Sequence, residues 1–540
     1  MASAAACSSD PSSSSSPSSP ATTMPPSSSP APLFRILKTA ASSVVNGGNA
    51  AAEEIERQVV PRLGILTIPA RTPIATPAFI AVTSRGVVPH VTPDNAVRTN
   101  LINGAYCALE DYIENIPLKP GRRPPVFNTP LPPAASSASP SSPTAYSKLR
   151  TFTALPSSAI TLLAPRRHPA AASHLPNGPH HISIVTSTGF QQLTVDRFND
   201  AVDTLRPDIV VPLADLTYGG GASAHTGFNN ADANPTTVKY PSAKRALRMA
   251  ERTEDWMDKV HRDGLAKKTG AVVFAPTLPV PYATQWQYLN RLSELVEDDA
   301  EAGGSGSASV SGLAVYDIDL LVDLHADYAD TLGHLPRLSL HPVVTPHHVL
   351  RQVSLGADIM LLPAITDASE HGLAYVFEWP SKESLSQPIE AGAERLPLAI
   401  DLSEMEHKAA VKPLSRDCTC PACKAHHRAY IHHLLDAREM LAWTLLQFHN
   451  HHVMTEFFAG IRKTLAEEGV EAFQQRAKHF QATYEPELPD GKATRPRARG
   501  YQVKTGGVVE TKLNKPAWGR LEDVAQEASA ASDAPAPAVV

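Results

Sequence analysis

From Leu63 onward, short runs of Val, Ile, Leu and Ala alternate with longer stretches in which apolar positions recur every three to four residues. Ile182–Val185, Ile209–Val211, Ala271–Phe274, Leu313–Val315 and Ile359–Leu362 have strand length and almost no polar positions, the pattern of strands buried on both faces. Between them Val195–Leu205, Ala243–Val260, Gln285–Val296 and Pro346–Leu355 carry the helical period. Repeated strand, helix, strand predicts an α/β fold with a parallel sheet. More than five such units in one core favour a closed TIM-like (β/α)8 barrel, with any site on the loops after the strand C-termini. A doubly wound sheet is the alternative, but no glycine-rich dinucleotide loop follows the first strand.

Composition limits how much of the 540 residues can join that core. Residues 1–33 and 118–148 are dominated by Ser, Pro and Ala, Gly303–Ser307 is a flexible insert, and the end is rich in Ala, Pro and charge. Such segments bury too little apolar surface to offset chain entropy and are expected to be disordered. The expected division is a disordered start over 1–55 and a barrel over 56–415 with low-complexity inserts near 118–180 and 298–311. A metal-binding helical subdomain over 416–484 and a largely disordered tail over 485–540 complete it.

The first 34 residues have no Lys or Arg and no continuous apolar run, which argues against transit and signal peptides, and no stretch approaches transmembrane length. An intracellular, soluble protein is expected. A net charge of −6 gives no global signal for nucleic acid. Two local candidates remain: Lys244, Arg245, Arg248 and Arg252 on one helix, and Lys492, Arg495, Arg497, Arg499 and Lys504 in the tail. A solvated face is the blander explanation of either.

Three of five cysteines fall within six residues, Cys418, Cys420 and Cys423. Thiolates this closely spaced suit a tetrahedral, borderline-soft cation, and a fourth ligand, usually imidazole, would close the shell and make a Zn2+ site structural. By spacing alone the fourth ligand is open among His426, His427, His432, His433, His449, His451 and His452. One straight helix from Ala425 would carry His449 about 35 Å away. Asp436 three residues before Glu439 has capping-box spacing, so one helix should end there and another begin. On that second helix Leu441, Leu445, Phe448 and His449 share an inward face.

Several segments together resemble the tRNA-guanine transglycosylase family. They are Arg62–Leu66 with Thr76–Phe79, Ser187–Gln191, Ser311–Val315, and Cys418-x-Cys420-x2-Cys423 followed by Tyr430, His433, Glu439–Leu441, His449–Asn450 and Ile461–Arg462. The resemblance implies a zinc-bearing β/α barrel acting in the exchange of guanine for a queuine-type base in the tRNA anticodon, with His449 as the fourth zinc ligand.

That chemistry needs a nucleophile at the anomeric carbon and proton transfer to the leaving purine. Where the family keeps its acid before the SGGFQ-like loop this chain has Thr186, and where it keeps its nucleophile it has Leu361. Ala214 stands at the base-reading acid, and Leu278 where a Gln would bond the purine. The pattern resembles a non-catalytic accessory subunit. It implies a heterodimer with a catalytic queuine tRNA-ribosyltransferase subunit, tRNA as the shared substrate, and a location in the cytoplasm or at the mitochondrial outer surface. The second helix, with Trp443, Phe448, Phe457 and Phe458, would join the subunit contact.

Three competing readings are an active transglycosylase using shifted Asp215 and Asp358, a metal hydrolase built on Asp323, His325, Asp327, His341, His347 and His348, and a zinc-stabilised interaction module without a tRNA role. A one-residue shift along a strand points a side chain to the opposite face, which counts against the first.

Overall fold

In the computed structural model the described residues are 33–38, 60–99, 101–113, 124–131, 147–170, 175–186, 189–216, 241–301, 308–385 and 394–493. The expectations for residues 1–32, most of 118–148, 303–307 and the tail beyond Ala493 lie outside them.

The chain opens with β1 (Phe34–Lys38), β2 (Leu63–Leu66) and β3 (Ile74–Thr76), an antiparallel sheet. Eight parallel strands follow: β4 (Ala78–Val82), β5 (Gly104–Ala108), β6 (Ile160–Ala164), β9 (Ile209–Val210), β10 (Val272–Thr277), β11 (Gly312–Val315), β12 (Arg337–Ser339) and β13 (Ile359–Leu361). They pair in chain order, and β13 closes the barrel on β4 with Ile359 opposite Ala78. Ile80, Ile160, Leu162, Phe274, Leu338 and Leu361 fill the interior, and Leu66 and Ile74 of the opening sheet join the same cluster. The outer layer includes α1 (Pro93–Thr99), α2 (Val195–Leu205), α3 (Ala243–Arg262), α4 (Tyr282–Glu301), α5 (Pro346–Ser354) and α6 (Ala364–Glu370).

One expected barrel strand is misplaced. Ile182–Val185 belongs to β7 (His181–Thr186), which pairs antiparallel with β8 (Gly189–Thr194) in a hairpin outside the barrel. Ile182 and Ile184 join the apolar cluster that contains Leu163, while the buried Ser183 bonds the Pro176 carbonyl through its hydroxyl and Asn177 through its amide. The true barrel strand is β6, inside the stretch 118–180 assigned to a low-complexity insert. Five fully buried residues flanked by Pro, Ser and Ala carry no periodicity to set them apart.

Two carboxylates, Asp208 mostly covered and Asp358 fully buried, brace the N-terminal end of the barrel. Asp208, just before β9, accepts from Arg71 (2.9 Å), Arg150 (2.7 Å) and the Thr161 amide (2.7 Å). Asp358, just before β13, accepts from Arg62 and from the Arg337 amide at 2.8 Å. Arg62 also donates to the Leu335 carbonyl, tying the opening sheet to the strand ends.

After β13 the chain forms β14 (Leu373–Tyr375) and β15 (Ala399–Asp401), then α7 (Pro421–Ala425), α8 (Arg428–Asp436), α9 (Met440–Glu467) and α10 (Val470–Thr483). The break between α8 and α9 falls where expected, by a different device. Arg438 takes a left-handed conformation (φ 56°), the Glu439 amide bonds back to the Leu434 carbonyl, and no side chain caps α9.

At about 1.5 Å per residue the 28 residues of α9 span roughly 42 Å. Its first half packs with Leu402, Leu414, Cys420 and Ile431, and its second half places Phe457, Phe458 and Ile461 in the barrel's outer core. Leu445, Phe448 and His449 face inward as expected, whereas Leu441 is 42% exposed. Trp443, Phe448, Phe457 and Phe458 are all buried within this chain, which removes them as an interface signal. Among the described residues no helix is long and apolar enough to cross a membrane.

Candidate metal centre

The three cysteines sit on a turn and the helix start that follows it. Asp417 is left-handed (φ 58°), Pro421 occupies the first turn of α7, and the Cys420 sulfur caps that helix by accepting from the Cys423 amide at 3.3 Å. Proline suits that position because the first amides of a helix have no intrahelical partner. The folded-back α9 brings His449 to the sulfurs across 26 to 31 residues of sequence.

Its Nδ1 lies 3.6, 3.5 and 3.4 Å from the sulfurs of Cys418, Cys420 and Cys423. All four candidate ligand atoms lie within 4.8 Å of one another. Zinc bonds of about 2.3 Å to sulfur and 2.0–2.1 Å to nitrogen, at tetrahedral angles, separate sulfur and nitrogen by about 3.5 Å, so the set fits that ion. One ring nitrogen cannot satisfy three thiols by hydrogen bonding, whereas one cation between them can.

The far side of the ring is fixed: Nε2 of His449 donates to the Tyr375 carbonyl at 2.8 Å, which leaves Nδ1 toward the sulfurs. Neighbouring Asn450 accepts from the Tyr375 amide and donates to Ser369 and to the Leu373 carbonyl, pinning α9 to β14. Burial pushes the His449 imidazole down, but the Cys418 and Cys423 sulfurs outweigh it and hold it up at about 9. Hydrogen bonds from Cys418 and Cys420 hold the Cys423 thiol far below its ordinary range. A cation seated among the sulfurs would take the place of a proton on Nδ1.

The other candidate histidines have other partners. His432 bonds the Leu402 carbonyl, His452 meets Thr419, His427 caps α8, and His426 stacks on Tyr430. His433 is exposed and His451 is buried among apolar groups. The Tyr375 carbonyl had no sequence signal, since any backbone oxygen could have served.

At the C-terminal mouth of the barrel, Leu361 ends β13 inside the apolar interior. Ala214 and Leu278 pack with Leu216, Ala246, Met249 and Val280. Thr186 ends β7, and Gln191 donates to its hydroxyl at 3.4 Å. Asp215 is fully buried and engaged by Arg252 (2.9 Å), Arg245 (3.4 Å) and Asn177 (2.7 Å). Asp358 lies at the opposite end of the barrel, so these two carboxylates do not converge.

The hydrolase constellation does not assemble either. His347 bonds the Glu485 carbonyl, His348 accepts from the Val344 amide, and His341 lies 3.8 Å from Asp317. Among the described residues one group of three or more metal-binding side chains converges, the Cys418, Cys420, Cys423 and His449 set.

A model of queuine tRNA-ribosyltransferases matches residues 142–485, more than half of the chain. The chain belongs to the queuine tRNA-ribosyltransferase family. It is similar to the queuine tRNA-ribosyltransferase accessory subunit 2 of Schizosaccharomyces pombe, with 32% identity covering 82% of this chain and 86% of that protein. The accessory subunit 2 of Drosophila grimshawi is 27% identical over 55% of this chain and 65% of its own length.

Cationic surface in this family member differs from that expected. On α3, Arg245 and Arg252 turn to Asp215, leaving Lys244 and Arg248 exposed. Lys492 pairs with Glu404, and Arg495, Arg497, Arg499 and Lys504 lie outside the described residues. In the 31 residues that bracket the three cysteines in sequence, Lys408, Lys412, Arg416, Lys424 and Arg438 are exposed. Spread from Lys408 to Arg438, they make no local run of charge in the sequence.

Proposed function

We propose that this chain is the non-catalytic subunit of a heterodimeric queuine tRNA-ribosyltransferase, which exchanges guanine for queuine at the anticodon wobble position of tRNA. The observation that carries this is the barrel mouth. Leu361, Leu278 and Ala214 occupy it with apolar packing, and Asp215 is held by two arginines. A carboxylate held between guanidiniums in a buried site is a poor base, and leucine has no lone pair to offer an anomeric carbon. The relatives' shared description as accessory subunits supports the same reading.

In this proposal Cys418, Cys420, Cys423 and His449 hold one structural Zn2+ that keeps the 416–484 lobe folded onto the barrel. The catalytic homologue docks against the start of α9, where Met440 and Leu441 are 54% and 42% exposed. The exposed cations around the lobe contribute phosphate contacts to tRNA. The proposed location is the cytoplasm, including the mitochondrial outer surface.

Co-expression with the catalytic homologue tests this. A one-to-one complex should incorporate labelled guanine into tRNA, while the isolated chain should incorporate none. Exchange by the isolated chain, or two monomeric species with full activity in the homologue alone, would overturn it.

A further inference from the structure

Beyond α10 the chain continues along the surface instead of leaving the fold. The Leu396 amide bonds the Thr483 carbonyl at 2.8 Å, the Glu485 amide returns to the Leu396 carbonyl at 2.9 Å, and His347 donates to the Glu485 carbonyl at 2.8 Å. These bonds fix the segment's start to the barrel side. Its end is fixed to the sulfur lobe. The Lys492 amide donates to Asp401 at 3.0 Å, the Lys492 ammonium pairs with Glu404, and Ala493 packs into the apolar cluster that contains Cys420, Leu435 and Trp443. Gly491 lies so close to the chain at His371 that an added Cβ would sit 2.3 Å from the His371 carbonyl oxygen. A larger residue there must lift the segment.

This seat connects to the metal ligand through a short series of bonds. His449 donates to the Tyr375 carbonyl on β14, and β14 pairs with β15 so that Leu373 faces Asp401. Asp401 accepts the Lys492 amide on one oxygen, and Ser403 donates to the other from its amide and its hydroxyl. On the other side His432 of α8 bonds the Leu402 carbonyl. Both strands and α8 are thus shared between the sulfur cluster and the strap.

We propose that residues 484–493 form a strap whose seat on the sulfur lobe depends on bound metal. Metal occupancy then fixes the point from which the basic residues beyond Ala493 continue. This rests on the reading that Cys418, Cys420, Cys423 and His449 hold a metal. In a site of that kind binding free energy is folding free energy for the surrounding lobe, so a strap seated on the lobe shares it. Linkage then works both ways: a lifted strap weakens the affinity for the metal.

The test uses the full-length chain. Zinc content is measured first, and limited trypsin digestion then follows cleavage of the Lys492–Ala493 bond by mass spectrometry. Stripping the metal with a chelator should speed that cut at least tenfold while cuts in the barrel, such as after Arg262, stay slow. Gly491→Val, which lifts the strap without touching a ligand, should retain stoichiometric zinc at rest and release it to a chromogenic chelator several-fold faster. A chain purified without metal overturns the metal reading and the strap together. A metal-bearing chain overturns the strap alone if the Lys492 cut ignores metal, if it quickens only in step with barrel cuts, or if Gly491→Val releases zinc at the wild-type rate.

Discussion

Replacing Asp358 by Asn separates a structural from a catalytic role for this carboxylate. The side chain is fully buried, accepts from the Arg62 guanidinium and the Arg337 amide, and lies next to the buried Arg337 side chain. Asn preserves the shape and removes the charge, leaving Arg62 and Arg337, 4% and 3% exposed, without an anion. Breaking a buried pair in this way costs about 3–5 kcal/mol, because the remaining charge has lost its compensation. With an unfolding entropy of about 2.1 cal/mol/K per residue over about 370 described residues, that lowers the melting temperature by roughly 4–6 °C. Calorimetry on the purified variant measures the shift, and base exchange by the reconstituted heterodimer at 25 °C measures function. The expected result is a lower melting temperature with exchange per complex unchanged. An unchanged melting temperature would refute the bracing role, and lost exchange in a fully folded complex would revive Asp358 as a catalytic group.

Cys420→Ser should lose the metal and appear as insolubility or failure to pair with the catalytic homologue; stoichiometric zinc with an unchanged melting temperature would exclude Cys420 as a ligand. Burial raises the Glu110 carboxyl to about 7 from 4.5, so the native state holds a proton that the unfolded chain has released. Its contribution is complete below pH 4.5 and is lost as pH rises through 7. The stability of wild type minus that of Glu110→Gln should therefore fall by about 1.4 kcal/mol per pH unit across that window, measured by urea denaturation. A flat or rising difference contradicts the sign. Burial, with a smaller push from His341, lowers His168 to about 4, so His168→Phe should reduce the acid sensitivity of stability between pH 6.5 and 4, seen as a shallower loss of denaturation midpoint. Leu441→Asp should leave melting temperature and zinc content unchanged and weaken the heterodimer at least tenfold by sedimentation; wild-type affinity would remove this face from the proposed interface. Lys412→Glu with Arg416→Glu should weaken tRNA binding by the heterodimer and flatten its salt dependence, and an unaltered salt slope would place the phosphate contacts elsewhere.

The alternation of buried strands and amphipathic helices is legible along the chain, because the period of burial is local and a parallel strand covered on both faces must be apolar along its length. The close spacing of Cys418, Cys420 and Cys423, a donor set that suits a soft cation, is likewise local, whereas the reading of Leu361, Leu278 and Ala214 as apolar replacements rests on the family resemblance. The folded arrangement settles matters that depend on distant partners. It chose the histidine that meets the sulfurs, since His449 reaches them only because α9 folds back and the Tyr375 carbonyl orients its ring. It turned Trp443, Phe448, Phe457 and Phe458 inward, since α9 is covered by the sulfur lobe on one half and by the barrel on the other. It recruited β6 from a stretch whose composition reads as an insert, because closing an eight-stranded barrel buries even a five-residue run on both sides. And it set Asp215 and Asp358 at opposite ends of that barrel, each bound to arginine, a separation that their identities alone could not convey.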